Sequence, residues 1–177
     1  MQKLKITEMQ RLSPDEYRDV AKTPLVAVLD NVRSMHNVGS VFRTADSFRM
    51  EKIFLCGISN TPPNAEIHKT ALGAELSVEW EYFADTHKVI EILKAQNYTV
   101  LAVEQAHGST MLNEFNINTT NKYALIFGNE VHGIQQSVVD LCDGCIEIPQ
   151  LGTKHSLNVS VSAGIVIWEF AKQLITL

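Results

Sequence analysis

The chain has 177 residues, of which 45% are apolar and 20% charged, and a formal net charge of −5. That length and balance describe one folded domain with a full core and exclude a disordered or low-complexity chain. The negative charge weighs against nucleic acid as a partner, because phosphate neutralisation dominates such affinity; Arg33, Arg43, Arg49 and Lys52 nevertheless stand close enough in sequence to form a local basic patch. In chain order, residues 1–23 read as a short N-terminal arm, with Ser13-Pro14-Asp15-Glu16 a helix start, and 24–177 as the domain. Pro24 to Leu29 is a continuous apolar run of the kind buried on both faces of a sheet. A polar loop, Asp30 to His36, follows. From Val38 the apolar residues Val41, Phe42, Ala45 and Phe48 form a helical stripe, with Ser40, Arg43 and Ser47 opposite.

Lys52 to Cys56 is the next strand, followed by a loop with Pro62-Pro63, an amphipathic piece over 65–72, and a third strand at 78–83. Asp85 caps a helix to about Gln96, Thr99 to Val103 is a strand, and Tyr123 to Phe127 is a fifth apolar strand ending in Gly128-Asn129-Glu130. A helix over 134–141 and a strand over 144–148 lead to a long terminal helix from Leu157, with Ser156 and Asn158 at its start and Ser156 as a favoured N-cap. That helix is apolar on more than one face, which predicts packing on the sheet and on a partner. Strands alternating with helices at this spacing give an α/β protein with a mainly parallel sheet.

Met1 to Val20 has no apolar block of the export-signal kind, and the longest apolar run is broken by Ser162, Gly164 and Glu169, so neither an export signal nor a membrane span is read and a cytoplasmic location is expected. Three cysteines without an export signal argue against a disulfide framework, and Cys56 reads as a buried strand residue. Cys142 and Cys145 form a CxxC pair, but no second pair supplies further ligands at fitting spacing, so no metal is expected.

Ligands of parallel sheets sit beyond the carboxyl ends of the strands. Three loops at such ends are polar: 31–37, 128–133 and 149–158. No GxGxxG, GxxxxGK[ST] or GxSxG occurs, so the common phosphate-cradling loops and the serine hydrolase elbow are absent. What remains is Asn37-Val38-Gly39 with Arg43 six residues on, FGNEVHG at 127–133, and IPQLGTKHSLNVS at 148–160. Together these segments resemble the SpoU (TrmH-like) branch of the SPOUT RNA methyltransferases, in order and over nearly the whole chain.

The resemblance implies a C-terminal trefoil knot, an obligate homodimer, S-adenosylmethionine as methyl donor, and methylation of a ribose 2′-hydroxyl in RNA, tRNA ahead of rRNA. It gives catalytic roles to Asn37, Arg43, Glu130, Ser156 and Asn158. Donor binding falls to the strand-end loops, at Val103, Glu104, Gln105, Phe127, Gly128, Asn129, Ile148, Pro149, Gly152 and Leu157. Apolar strand ends suit an adenine and loop backbone suits its polar edge. Gly128 permits either a close backbone approach or a positive φ.

An arginine is always protonated at neutral pH, so Arg43 is read as holding phosphate or ribose and stabilising negative charge rather than as a base; it also fits a solvated place on the polar helix face. Asn37 and Glu130 are expected to orient Arg43 or its loop. His36, His132 and His155 read as loop or RNA-contact residues, and Lys154-His155 as bearing on substrate choice. A short arm and an early end leave no separate RNA-binding domain within the sequence, while a dimer would bring Arg33, Arg43 and Arg49 of one chain toward the third loop of the other. The competing readings are a non-catalytic RNA-binding or ribosome-assembly protein retaining the fold, and a monomeric small-molecule α/β enzyme.

Overall fold

A computed structural model describes residues 1–9 and 11–175. Gln10 of the arm and Thr176 and Leu177 at the chain end lie outside the described residues. The elements run α1 (Pro14–Asp19), β1 (Thr23–Asp30), α2 (Met35–Ser47), β2 (Met50–Cys56), α3 (Ala65–Ala71), α4 (Ala74–Ser77), β3 (Trp80–Phe83) and α5 (Thr86–Ala95). They continue with β4 (Tyr98–Val103), β5 (Thr110–Met111), β6 (Lys122–Phe127), α6 (Gln136–Val139), β7 (Gly144–Glu147) and α7 (Val159–Leu174).

The seven strands form one sheet in the order β3-β2-β1-β6-β4-β7-β5, and every pairing is parallel. β1 alternates its side chains between two cores. Leu25, Ala27 and Leu29 pack with Val41 and Phe42 of α2 and with Val166, Ile167 and Phe170 of α7. Val26 and Val28 pack on the other face with Val89, Ile90 and Leu93 of α5. A strand buried on both faces has no polar face to alternate with, which is why its sequence reads as an unbroken apolar run. Cys56 is likewise fully buried at the end of β2.

The chain turns outward from β1 through β2 to β3, then crosses to β4, and β6 later fills the gap between β1 and β4. That reversal of direction places a crevice beyond the carboxyl ends of the central strands.

Several boundaries differ from the sequence reading. Helix α2 begins at Met35, because Ser34 caps it by accepting from Asn37 N at 3.3 Å, so the polar loop is shorter than 30–36. Val78 closes α4 through a bond from its N–H to the Ala74 carbonyl, and β3 therefore starts only at Trp80. The helix expected over 134–141 contracts to one turn, and β5, only two residues long, has no sequence signal. Helix α7 begins at Val159 with Asn158 as its cap, not Ser156. In the arm, α1 carries a reciprocal Ser13–Glu16 capping box and its Tyr17 is buried in the first core.

The expected basic patch is divided by α2, which runs the length of the sheet. Arg33 precedes α2 at the carboxyl ends of the strands, whereas Arg49 and Lys52 lie at the opposite end, where Lys52 meets Glu79 and Glu81 at 3.8 and 3.5 Å. No helix among the described residues is long and apolar enough to cross a membrane. Among the same residues no three His, Cys, Asp or Glu side chains converge as a metal site would require.

Candidate active site

The three loops meet through one hydrogen-bonded chain. The loop after β6 places Glu130 at the start of α2, where its carboxylate accepts from Arg33 N at 2.9 Å, Ser34 N at 2.8 Å and Asn37 Nδ2 at 2.9 Å. Asn37 in turn accepts from Asn158 Nδ2 at 3.1 Å. The Oδ1 of Asn158 accepts from Ser160 N at 2.9 Å, which caps α7. One chain of side chains thus joins the starts of two helices whose residues are 121 positions apart.

Burial alone would raise the Glu130 carboxyl, but the donors of Arg33, Ser34 and Asn37 outweigh it and hold the group below the ordinary glutamate range. A carboxylate at a helix N-terminus is favoured by the aligned peptide dipoles as well. Three donors on its carboxylate make Glu130 the anchor of the α2 start. It organises Asn37 and the helix start, and makes no bond to Arg43.

The second loop is built by close backbone approach. Asn129 and Gly133 exchange backbone bonds at 3.1 and 2.9 Å, with Gly133 at φ +64°. Asn129 Nδ2 donates to the Asn31 carbonyl at 2.8 Å, while its Oδ1 accepts from Val131 N and His132 N. A Cβ on Gly128 would stand 2.4 Å from the Gly133 carbonyl carbon and 2.5 Å from Ile134 N. Close approach, not a positive φ, is therefore what requires glycine at 128. Glu104 supports the loop from below: its Oε2 accepts from Ile134 N at 3.0 Å and its Oε1 from Gln105 N at 2.9 Å.

Beyond β4, β6 and β7 lies an open crevice of about 1250 Å³. Its walls include Val103, Glu104 and Gln105 from the first side, Phe127, Gly128 and Asn129 from the middle, and Ile148 and Leu157 from the third loop. Glu130, Ser156 and Asn158 reach the same space, as do His132 and His155. Pro149 and Gly152, expected among the binding residues, do not line it; Pro149 is exposed and Gly152 has open space around it, on the outer part of the loop. Ser156 lines the crevice but neither caps α7 nor makes a hydrogen bond among the described residues.

Cys145 also borders the crevice, and the sequence reading missed it; burial raises its thiol, so it enters as a small apolar surface. Between Ile148 and Leu157 the single backbone group hydrogen-bonded among the described residues is the His155 carbonyl, which accepts from Gln105 Nε2 at 2.6 Å. The rest of that backbone is free to pair with a ligand.

Arg43 is not in this crevice. Six residues beyond Asn37, it lies roughly 9 Å further along α2 and about a third of a turn around it. It faces a separate shallow groove with Ser40, Lys69 and Thr70, and no carboxylate among the described residues pairs with it. His36 is also occupied elsewhere, 3.0 Å from Glu66.

A parallel α/β sheet with apolar strand ends, a bonded cluster of polar side chains and an unpaired loop over one crevice defines an α/β enzyme with its site at the carboxyl edge. The chain belongs to the SpoU rRNA methylase family, whose model matches residues 24–168. It is 29% identical over 167 residues to the tRNA (guanosine(18)-2'-O)-methyltransferase of Thermus thermophilus, a match covering 94% of this chain and 84% of that protein. Over 159 residues it is 28% identical to the 23S rRNA (guanosine-2'-O-)-methyltransferase RlmB of Neisseria meningitidis, covering 90% of this chain but 62% of that one, less than two thirds of its length. Among solved structures, the AdoMet-bound rRNA methyltransferase of Sinorhizobium meliloti matches with a TM-score of 0.80 at 29% identity, over 94% of this chain and 63% of the other.

Proposed function

We propose that this protein is an S-adenosylmethionine-dependent RNA methyltransferase acting on a ribose 2′-hydroxyl, with tRNA ahead of rRNA as substrate. The observation that carries the reading is the Glu130–Asn37–Asn158 chain, which ties all three motif loops together at the rim of one crevice. The crevice suits the donor. Val103, Phe127, Ile148 and Leu157 offer apolar surface for an adenine, and the unpaired loop backbone offers donors and acceptors for its edge. Bound there, S-adenosylmethionine supplies an electrophilic methyl group.

The chain's own residues do the remainder. The acceptor hydroxyl is a weak nucleophile, so the site must stabilise the negative charge that develops on its oxygen. Arg43, always cationic, holds the substrate phosphate or ribose and stabilises that charge, while the proton leaves to water or to the RNA's own phosphate. Asn37, Glu130 and Asn158 fix the helix starts, and Ser156 and Asn158 hold the acceptor side of the crevice. The outer residues Pro149 and Gly152 shape the loop rather than touch the donor.

A homodimer belongs to this reading, because Arg43 lines a groove separate from the crevice of its own chain. Val161, Ile165 and Trp168 form an exposed apolar stripe along α7, at 49%, 39% and 52% exposure, with exposed Leu157 just ahead of it. A stripe of that spacing suits a second helix. A self-complementary pairing there would carry Arg43 of one protomer toward the loop 149–158 of its partner and complete the site. The reading also includes the trefoil knot, a domain over 24–177 preceded by the arm 1–23, no metal, and a cytoplasmic location.

The test is transfer of labelled methyl from S-adenosylmethionine to total tRNA and, separately, to rRNA from a strain lacking the protein, with mapping of the product. Label on a single ribose 2′-O position is expected. Failure to bind S-adenosylmethionine in calorimetry, with no label in either RNA pool, would favour a non-catalytic RNA-binding role instead.

A further inference from the structure

The groove that holds Arg43 has a second cation whose position is set by the backbone. Where α2 and α3 cross, Gly39 has no room for a side chain: a Cβ there would lie 2.2 Å from Thr70 Oγ1 and 2.3 Å from the Ile67 carbonyl oxygen. Thr70 Oγ1 also donates to the His36 carbonyl at 2.9 Å. The two helices are locked backbone to backbone, and one turn beyond Gly39 this crossing sets Lys69 of α3 across from Arg43 of α2, on a groove of about 520 Å³.

The walls of the groove carry both cations and no carboxylate, although the chain as a whole is acidic. The hydroxyls that line it, Ser40, Thr44 and Ser47, donate their protons to the carbonyls of His36, Ser40 and Arg43 at 2.8, 3.0 and 2.9 Å. The charged donors facing the groove are therefore Arg43 and Lys69. Lys69 is paired with Glu66 at 2.6 Å, but with its side chain 62% exposed the pair holds it weakly and leaves it able to swing into the groove.

Resting on the RNA reading above, we propose that Lys69 binds a backbone phosphate of the substrate RNA, and with Arg43 forms a two-cation clamp that seats the strand on α2 and α3. Arg43 offers a planar fork for an oriented contact, and Lys69 a mobile point charge suited to a neighbouring phosphate of less fixed geometry. The contact is independent of sequence and sets how the strand lies.

The test compares Lys69→Ala and Lys69→Arg with Lys88→Ala, a control whose lysine is equally exposed and paired with Glu91 on α5, across the sheet. Affinity for fluorescently labelled total tRNA is measured by anisotropy between 50 and 200 mM salt, alongside donor binding by calorimetry and KM and kcat for methyl transfer. For Lys69→Ala, the RNA Kd and KM are expected to rise roughly three- to tenfold, and the salt slope to fall by about 1, while kcat and donor binding hold. Lys69→Arg should restore affinity and Lys88→Ala should change neither.

An unchanged Kd and slope in Lys69→Ala, or an equal loss in Lys88→Ala, would overturn the clamp. The two readings fail separately. Wild-type protein that binds tRNA but transfers methyl to neither tRNA nor rRNA ends the enzymatic reading, while the Lys69 slope still decides the clamp; wild-type protein that binds neither tRNA nor rRNA ends both.

Discussion

Replacing Glu130 by Gln keeps the shape of the side chain and removes its charge. The carboxylate holds three donors, Arg33 N, Ser34 N and Asn37 Nδ2, at 2.8–2.9 Å. The amide oxygen can keep the two donors on Oε1, but its NH2 group then faces the N–H of Arg33, so one bond is lost and the other two lose their charge assistance. A hydrogen bond to a charged group contributes a net ~1.5–3 kcal/mol, and because Glu130 is exposed water recovers part of it, leaving a cost of about 1–2 kcal/mol at neutral pH. With a urea slope near 2 kcal/mol/M, the midpoint should fall by roughly 0.5–1 M.

The pH dependence carries its own sign. The folded-state carboxyl lies below the ordinary glutamate value, so its contribution is fully present above the unfolded pKa of about 4.3 and is lost as pH falls through the lower folded value. The gap between wild type and Glu130→Gln should thus hold from pH 7 to about 5 and close in more acid solution. Glu16, Glu66, Glu75 and Asp85 are also lowered, but they titrate alike in both proteins and cancel in the difference. Urea unfolding followed by circular dichroism, at one protein concentration and several pH values, measures it. A gap below ~0.3 kcal/mol at pH 7, or one that persists unchanged below pH 4, would refute the assignment of Glu130 as the anchor of the α2 start.

Three further outcomes are expected. Gly128→Ala forces a methyl against the backbone of Gly133 and Ile134, so it should lower stability by about 1–3 kcal/mol in urea unfolding and weaken donor binding in calorimetry. Arg43→Ala, on an exposed helix face, should leave the melting temperature and the donor Kd close to wild type while methyl transfer falls by roughly 10²–10³, as for loss of one charge-stabilising donor; retained turnover would remove it from the mechanism. Ile165→Glu places a charge in the centre of the exposed stripe on α7 and should convert dimers to monomers in sedimentation, with activity lost in parallel; unchanged mass would place the interface elsewhere.

The legibility of the sequence followed burial. β1 and β6 were plain because both faces of each strand are covered, and α5 because Asp85 caps it and one stripe is buried. β5 was invisible, since two residues at a sheet edge carry no period. Position 156 misled because Ser is a good cap by propensity, yet Asn158 is the residue whose other amide atom reaches Asn37 and so fixes where α7 starts. Charge proximity also misled, because α2 carries Arg33 and Arg49 to opposite ends of the sheet. The site residues were legible through their resemblance to a family, but their connections were not: Asn37 meets Glu130 across 93 residues and Asn158 across 121, distances that only the strand order closes. The exclusion of Arg43 from the crevice was likewise beyond a one-dimensional reading, because it depends on which side of α2 faces which neighbour.

The place of β6 in the sheet bears on how the chain is made. β1 pairs with β2 on one side through a local crossover, but its other edge is covered only by residues 123–127, roughly a hundred positions later. During synthesis that edge, flanked by Leu25, Val26, Ala27, Val28 and Leu29, leaves the ribosome long before its partner exists. An apolar parallel edge of this kind is a template for wrong pairing, and closing it across so long a separation makes folding slow for the size of the domain. The strands β1 and β6 near the centre of the finished sheet thus meet only after some hundred intervening residues have been made, and until then the free edge of β1 is open to wrong pairing.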